Sequence, residues 1–140
     1  MVNSKVKGRS FEQRIATIVR TKWPNAIVRR SQQAHMAYEP DVVIEGEAPI
    51  MARRLWLECH DSRAPNPLTK LEQAIRDVEH KPMSIPTAVC HRLGARTITA
   101  TLRLSDLITI MHASWTYDVG PSPVTLAFDD LLTLCGDHAP

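Results

Sequence analysis

No run in the chain approaches the roughly 20 consecutive apolar residues that a membrane span needs, and the basic start MVNSKVKGRS leads into an amphipathic segment, not the apolar block of a signal peptide. A soluble, cytoplasmic protein that engages no membrane is therefore expected. Cysteine is scarce. Cys59, Cys90 and Cys135 are odd in number and widely spaced, which favours free buried thiols in a reducing compartment over a disulfide framework. No CxxC or HxxxH spacing links the cysteines to the six histidines, so a structural zinc site is not expected. His35, His80, His91, His112 and His138 have no partner that spacing identifies.

What remains is a chain of 140 residues with 44% hydrophobic content, enough for one packed core and too little for two. A single domain over residues 1–140 is expected. Charge is uneven. Residues 1–70 carry 12 Lys and Arg against 7 Asp and Glu, a surplus of +5, whereas residues 71–140 carry 5 against 8, a deficit of −3. A basic half holding Lys5, Lys7, Arg9, Arg14, Arg20, Arg29 and Arg30 suits a polyanion, although solvated surface charge is the commoner explanation of such counts, and charge alone does not establish a nucleic-acid partner.

Phe11, Ile15, Ile18 and Val19 recur at helical spacing, Ser10 and Gln13 form a capping-box pattern, and Trp23-Pro24-Asn25 supplies a stop; the helix could begin as early as Ser4. Three segments rich in branched apolar residues follow as strands: AIVRR (26–30), DVVIEG (41–46) and RRLWLECH (53–60), the last two forming a hairpin around Gly46-Glu47-Ala48-Pro49. Asn66-Pro67 is a cap followed by a first-turn proline, and Leu68, Leu71, Ile75 and Val78 mark one face of a helix over 66–81. Lys70, Gln73 and Asp77 share its opposite flank. PTAVCHR (86–92) and RTITATLRL (96–104) read as strands, and SDLITIMHA (105–113) as a helix capped by Ser105. ATLRLSDLITI (100–110) and VTLAFDDLLTL (124–134) match at Thr, Leu, Asp, Leu and Thr when offset by 24. Both read as strand followed by helix, so residues 114–140 are expected to add a strand and short helix that extend the sheet or a dimer contact.

Asp41 opens one strand of the predicted hairpin and Glu58 lies near the end of the other, so antiparallel pairing brings two carboxylates together. Alternation places Trp56, Glu58 and His60 on one face and Leu55, Leu57 and Cys59 on the other. An acid embedded in LWLEC needs a reason, because burying an unpaired charge is costly. A carboxylate pair in a partly dry cleft binds a hard divalent cation such as magnesium, which activates water and stabilises a phosphodiester transition state. Hydrolysis of a nucleic-acid backbone is the natural use of such a pair. Each residue also has an ordinary reading: Glu12 as a first-turn acid, Asp41 as a strand opener, Lys70 and Gln73 as surface helix residues, and Trp56 as a packing side chain.

Taken in order, Lys7-Gly8 with Phe11-Glu12, Arg30-Ser31, Pro40-Asp41-Val42-Val43 and Leu57-Glu58-Cys59 resemble the PD-(D/E)xK nuclease superfamily, in particular the phage and archaeal Holliday-junction resolvases. The resemblance covers residues 5 to about 110. It implies an α/β, restriction-endonuclease-like core (about 5–113) with a mixed central sheet flanked by helices. It further implies a metal-dependent DNA endonuclease using Mg²⁺, with Mn²⁺ able to substitute, acting on branched DNA as a homodimer. A phage-encoded chain would work in the host cytoplasm. On the resemblance, Glu12, Asp41 and Glu58 are metal-site carboxylates and the Cys59 backbone carbonyl is a further ligand. The resemblance also implies that Gln73 lies near the site and that Arg30 and Ser31 approach the DNA backbone; on charge alone, Arg29 and a basic arm of Lys5, Lys7 and Arg9 are further candidates for phosphate contact, with Arg29 and Arg30 also readable as residues flanking a strand end.

The departure from the family pattern is His60, which stands where a lysine normally orients the attacking water. Three arrangements follow: His60 acts as general base or as imidazolium, Lys70 supplies the ammonium from the next helix, or the protein binds DNA without cutting it. The competing functions are a nicking, repair or restriction-like endonuclease and a non-catalytic DNA-binding accessory protein.

Overall fold

The computed structural model describes residues 4–31, 39–112 and 120–136, with side chains from residue 8 onward. The elements run α1 (Ser4–Lys22), β1 (Ala26–Arg30), β2 (Val42–Gly46), α2 (Ile50–Arg54), β3 (Leu55–Ser62), α3 (Pro67–Asp77), β4 (Ile85–Arg92), β5 (Thr99–Arg103), α4 (Leu104–Met111), β6 (Pro123–Ala127) and α5 (Phe128–Gly136). The six strands form one sheet in sequence order. Only the β3–β4 pair is parallel, and α3 makes the crossover that this requires. The fold is therefore α/β with a mixed sheet flanked by helices.

Alternation along β3 divides the apolar residues between the two sheet faces, because successive side chains of a strand point in opposite directions. Leu55 and Leu57 join Phe11, Ile15 and Val19 of α1 and Phe128, Leu131 and Leu132 of α5 in the larger core. Trp56 packs on the other face against Ala74 and Val78, while Leu71 of α3 meets Ala88 and Cys90 of β4. The helices α1 and α3 thus cover opposite faces, and Glu58 alternates onto the α3 side. No helix among the described residues is long and apolar enough to cross a membrane.

Several sequence expectations need revision. The helix α1 starts at Ser4, so Ser10 lies inside it and cannot act as a cap. Residues 53 and 54 are helical, because Ile50–Arg54 forms one turn between β2 and β3. The turn places Ala52, which is fully buried, in the larger core. The two strands are antiparallel, as expected, but their connection is this turn and not a tight hairpin. Helix α4 begins at Leu104 with Arg103 at its cap position, and Ser105 sits within its first turn. By contrast, Asn66 does cap α3, its side chain accepting from the Thr69 N–H at 3.2 Å.

The 24-residue internal similarity is a structural one. Its two copies are β5–α4 and β6–α5, and the equivalent residues Thr101 and Thr125 face each other across the β5–β6 ladder, their hydroxyls 2.7 Å apart. The strand and helix at 123–136 extend the sheet and fill its core: Phe128, Leu131, Leu132 and Cys135 of α5 are all buried.

Candidate functional site: a carboxylate pair on the sheet

Asp41 stands at the entry to β2, where three strands are stitched together. Its N–H donates to the Leu57 carbonyl at 2.9 Å, and its own carbonyl accepts from the Ser31 N–H at 3.0 Å. Val42, the first residue of β2, also faces Leu57, so Asp41 and Val42 together oppose one residue of β3. That is the arrangement of a β-bulge, which interrupts the ladder and re-aims a side chain. The Asp41 carboxylate takes over as acceptor for the next β3 amide, Oδ2 receiving the Cys59 N–H at 2.8 Å.

From this position the Asp41 carboxyl lies close enough to Glu58 for the two to act on each other electrostatically. Glu58 is only 5% exposed. It accepts from the Trp56 indole N–H at 3.1 Å and is repelled by Asp77 at the end of α3. Burial pushes its carboxyl up to about 8, with repulsion from Asp41 and then Asp77 adding to the rise and the indole N–H opposing it. Burial raises Asp41 as well, against the pull of the Cys59 amide and of the Lys70 ammonium. Near neutral pH one proton is thus held between acids that cannot all ionise together.

The α3 flank follows from its cap and its apolar face. With Leu71 and Ala74 turned to the sheet, Lys70, Gln73 and Asp77 lie along one side of the helix. Gln73 is half-buried between the two charged residues. Lys81, just beyond α3, sits over the Trp56 ring at 4.6 Å from its centroid. His60 is half-buried two residues beyond Glu58 on the same strand and pairs in register with Cys90.

Glu12 approaches from α1. It ion-pairs with Arg30 at 2.9 Å, and burial raises its carboxyl despite that partner, with Asp41 repelling it further. Glu12, Asp41 and Glu58 all act on the partly buried Cys59, whose thiol is pushed well above its usual range, first by desolvation and then by these three acids. The structure therefore brings all three acids to one end of β3. Among the described residues, however, no group of three or more His, Cys, Asp or Glu side chains is disposed to hold a metal ion. Glu12 is turned to Arg30, so the three acids are not assembled as ligands in this arrangement. Asp41 and Glu58, with hard oxygen donors and a negative charge that burial makes costly, are the residues that fit a magnesium-type ion, which commonly takes one or two carboxylates and keeps several waters.

Of the remaining predicted contacts, Arg29 forms a forked pair with Glu39 at 2.6 and 3.1 Å, and the Ser31 hydroxyl donates to the same carboxylate at 3.3 Å. Arg9 is exposed on α1. Lys5 and Lys7 lie on the first turns of α1, and their side chains fall outside the described residues, as do His35 and His138. Two groupings were missed in the sequence. Asp77 shares a flank with Lys70 and Gln73, the signal that could have placed it at the site. His91, 8% exposed, meets Asp61 at 3.0 Å and the Ala95 carbonyl at 2.8 Å. Only the parallel register that sets Asp61 opposite His91 brings that pair together. No known protein family matches the chain, and no curated protein is similar enough to count as a relative.

Proposed function

We propose that this chain is a metal-dependent endonuclease of the restriction-endonuclease-like type, hydrolysing DNA phosphodiester bonds, with branched DNA such as a four-way junction as substrate and a homodimer as the working unit. The observation that carries the reading is the pairing of half-buried Asp41 with buried Glu58 at a β-bulge, with Asp77 beside them and Lys70 acting on Asp41. A purely structural role accounts poorly for the arrangement, because gathering acids in a dry site destabilises the fold unless something offsets their charge.

Asp41 and Glu58 would hold Mg²⁺, or Mn²⁺ in its place, with the Cys59 carbonyl as a further donor. When bound, such an ion supplies charge neutralisation at the phosphodiester and a more acidic water. The Cys59 amide and the bulge keep the Asp41 carboxylate aimed, so little rearrangement is needed on binding. Lys70 is the better successor to the missing lysine, because its ammonium already acts on Asp41; from there it offsets charge that develops on the phosphate. His60, following Glu58 along β3, is the second proton-handling group. Arg30 holds Glu12 in reserve beside the pair.

Cleavage of a labelled four-way junction beside linear duplex of the same sequence, in Mg²⁺ and Mn²⁺, tests the reading. Paired symmetric nicks should be abolished in Glu58→Ala and reduced on the order of 10²-fold in Lys70→Ala, the scale of losing one charge-stabilising group. Faster cutting by His60→Lys would identify the histidine as a weakened replacement. Equal cutting of linear duplex would keep the nuclease and remove the junction. Binding without cleavage under every condition would leave a DNA-binding accessory protein.

A further inference from the structure

A cavity of about 440 Å³ opens between α1 and the edge strand β1, lined by Gln13, Ala16, Thr17, Arg20, Arg29 and Arg30. Half of its lining residues are arginines, and their charges are not equivalent. Arg29 is neutralised by Glu39 at 2.6 Å and Arg30 by Glu12 at 2.9 Å. Arg20 forms no ion pair among the described residues. Its Nε and Nη2 donate instead to the Val28 carbonyl of β1, at 3.2 and 2.7 Å. A carbonyl fixes a guanidinium in place without neutralising it, and two of its five N–H donors are enough to hold it there. The groove therefore presents a positioned, uncompensated positive charge.

Protection of the sheet edge is the ordinary explanation of an arginine bonded to an edge-strand carbonyl. It accounts for the Arg20–Val28 contact, but not for Arg29 and Arg30 opening onto the same cavity. Polar Gln13 and Thr17 complete the lining, which disfavours an apolar ligand. Arg30 also joins the groove to the carboxylate end of the sheet, because it bonds Glu12 and Glu12 acts on Asp41.

We infer that this groove docks the phosphodiester backbone of a nucleic-acid strand, with Arg20 as its anchoring cation and the edge of β1 as its floor. The inference rests on the proposed function for its class of partner. Backbone contacts of this kind position a duplex and carry no sequence information. They do set its salt dependence.

The test is binding of labelled junction and linear DNA to the full chain in a chelator, across a salt series, so that cleavage plays no part. Arg20→Ala should lower the slope of log affinity against log salt by about 1 for every DNA sequence. Because that variant also loses its bond to β1, Gln13→Glu serves as a second probe; it adds an acid at an exposed position of α1 without touching Arg20 and should weaken binding in the same direction. Arg103→Ala removes a charge four strands away, on β5, and should leave the slope unchanged. DNA bound with a wild-type slope by both groove variants would overturn the groove and leave the nuclease reading intact. Binding that depends on Arg20 in a protein that never cuts would uphold the groove and overturn the nuclease. No DNA binding by the wild type would overturn both.

Discussion

Replacing Glu58 by glutamine keeps the size of the side chain and its ability to donate and accept hydrogen bonds, but it removes the ability to ionise. In the folded protein burial and the neighbouring acids raise the Glu58 carboxyl from 4.5 to about 8. A group whose folded value lies above its unfolded one contributes stability that is fully present below the unfolded value and is lost as pH rises through the folded value. The window for Glu58 therefore runs from about pH 4.5 to about pH 8. At about 1.4 kcal/mol per pH unit the full amplitude is on the order of 5 kcal/mol, a large part of the roughly 5–15 kcal/mol by which domains are stable. Asp41 and Glu12 are raised too, so they steepen the same decline. In a chelator, urea unfolding of the wild type should show stability falling from about pH 4.5 to about pH 8, while Glu58→Gln should fall much less and end as the more stable protein. Mg²⁺ at about pH 8 should then stabilise the wild type more than the variant, because binding that favours the folded state adds directly to stability. Parallel pH curves for the two proteins would refute the reasoning, since Glu58 would then not be the group holding the proton.

Two further expectations concern the fold that holds this pair. Leu131→Ala should cost about 2–5 kcal/mol in urea unfolding, because Leu131 of α5 is fully buried in the larger core; a loss below about 1 kcal/mol would make α5 an appendage. Asn66→Ala should cost about 1 kcal/mol through loss of the α3 cap, and junction cleavage should weaken with it if the cap positions Lys70. Unchanged stability would show that the Asn66–Thr69 contact contributes nothing.

Much of the scaffold was legible because the signals that carry it are local. The apolar spacing of Phe11, Ile15 and Val19 gives α1 its buried face, Asn66-Pro67 marks the start of α3, and the repeated strand-to-helix pattern reappears as β5–α4 and β6–α5. Period-two alternation likewise separated Trp56 and Glu58 from Leu55 and Leu57. The turn of α2 was not legible, because five residues carry too little periodicity to outweigh the strand-like Leu-Trp-Leu that follows them. Ser10 and Ser105 were misread for a related reason: a capping residue type marks a helix start only if the preceding residues are not themselves helical.

The sequence by itself determined which side chains would share a face and that an acid would be buried in LWLEC, since both follow from the stereochemistry of a strand and from residue type. Only the tertiary structure decided what surrounds that acid. The bulge at Asp41, the arrival of Asp77 and Lys70 along α3, the turning of Glu12 to Arg30 and the convergence of Arg20, Arg29 and Arg30 on one groove depend on strand register and helix placement. These are set by contacts between residues far apart in the chain, which local pattern does not encode.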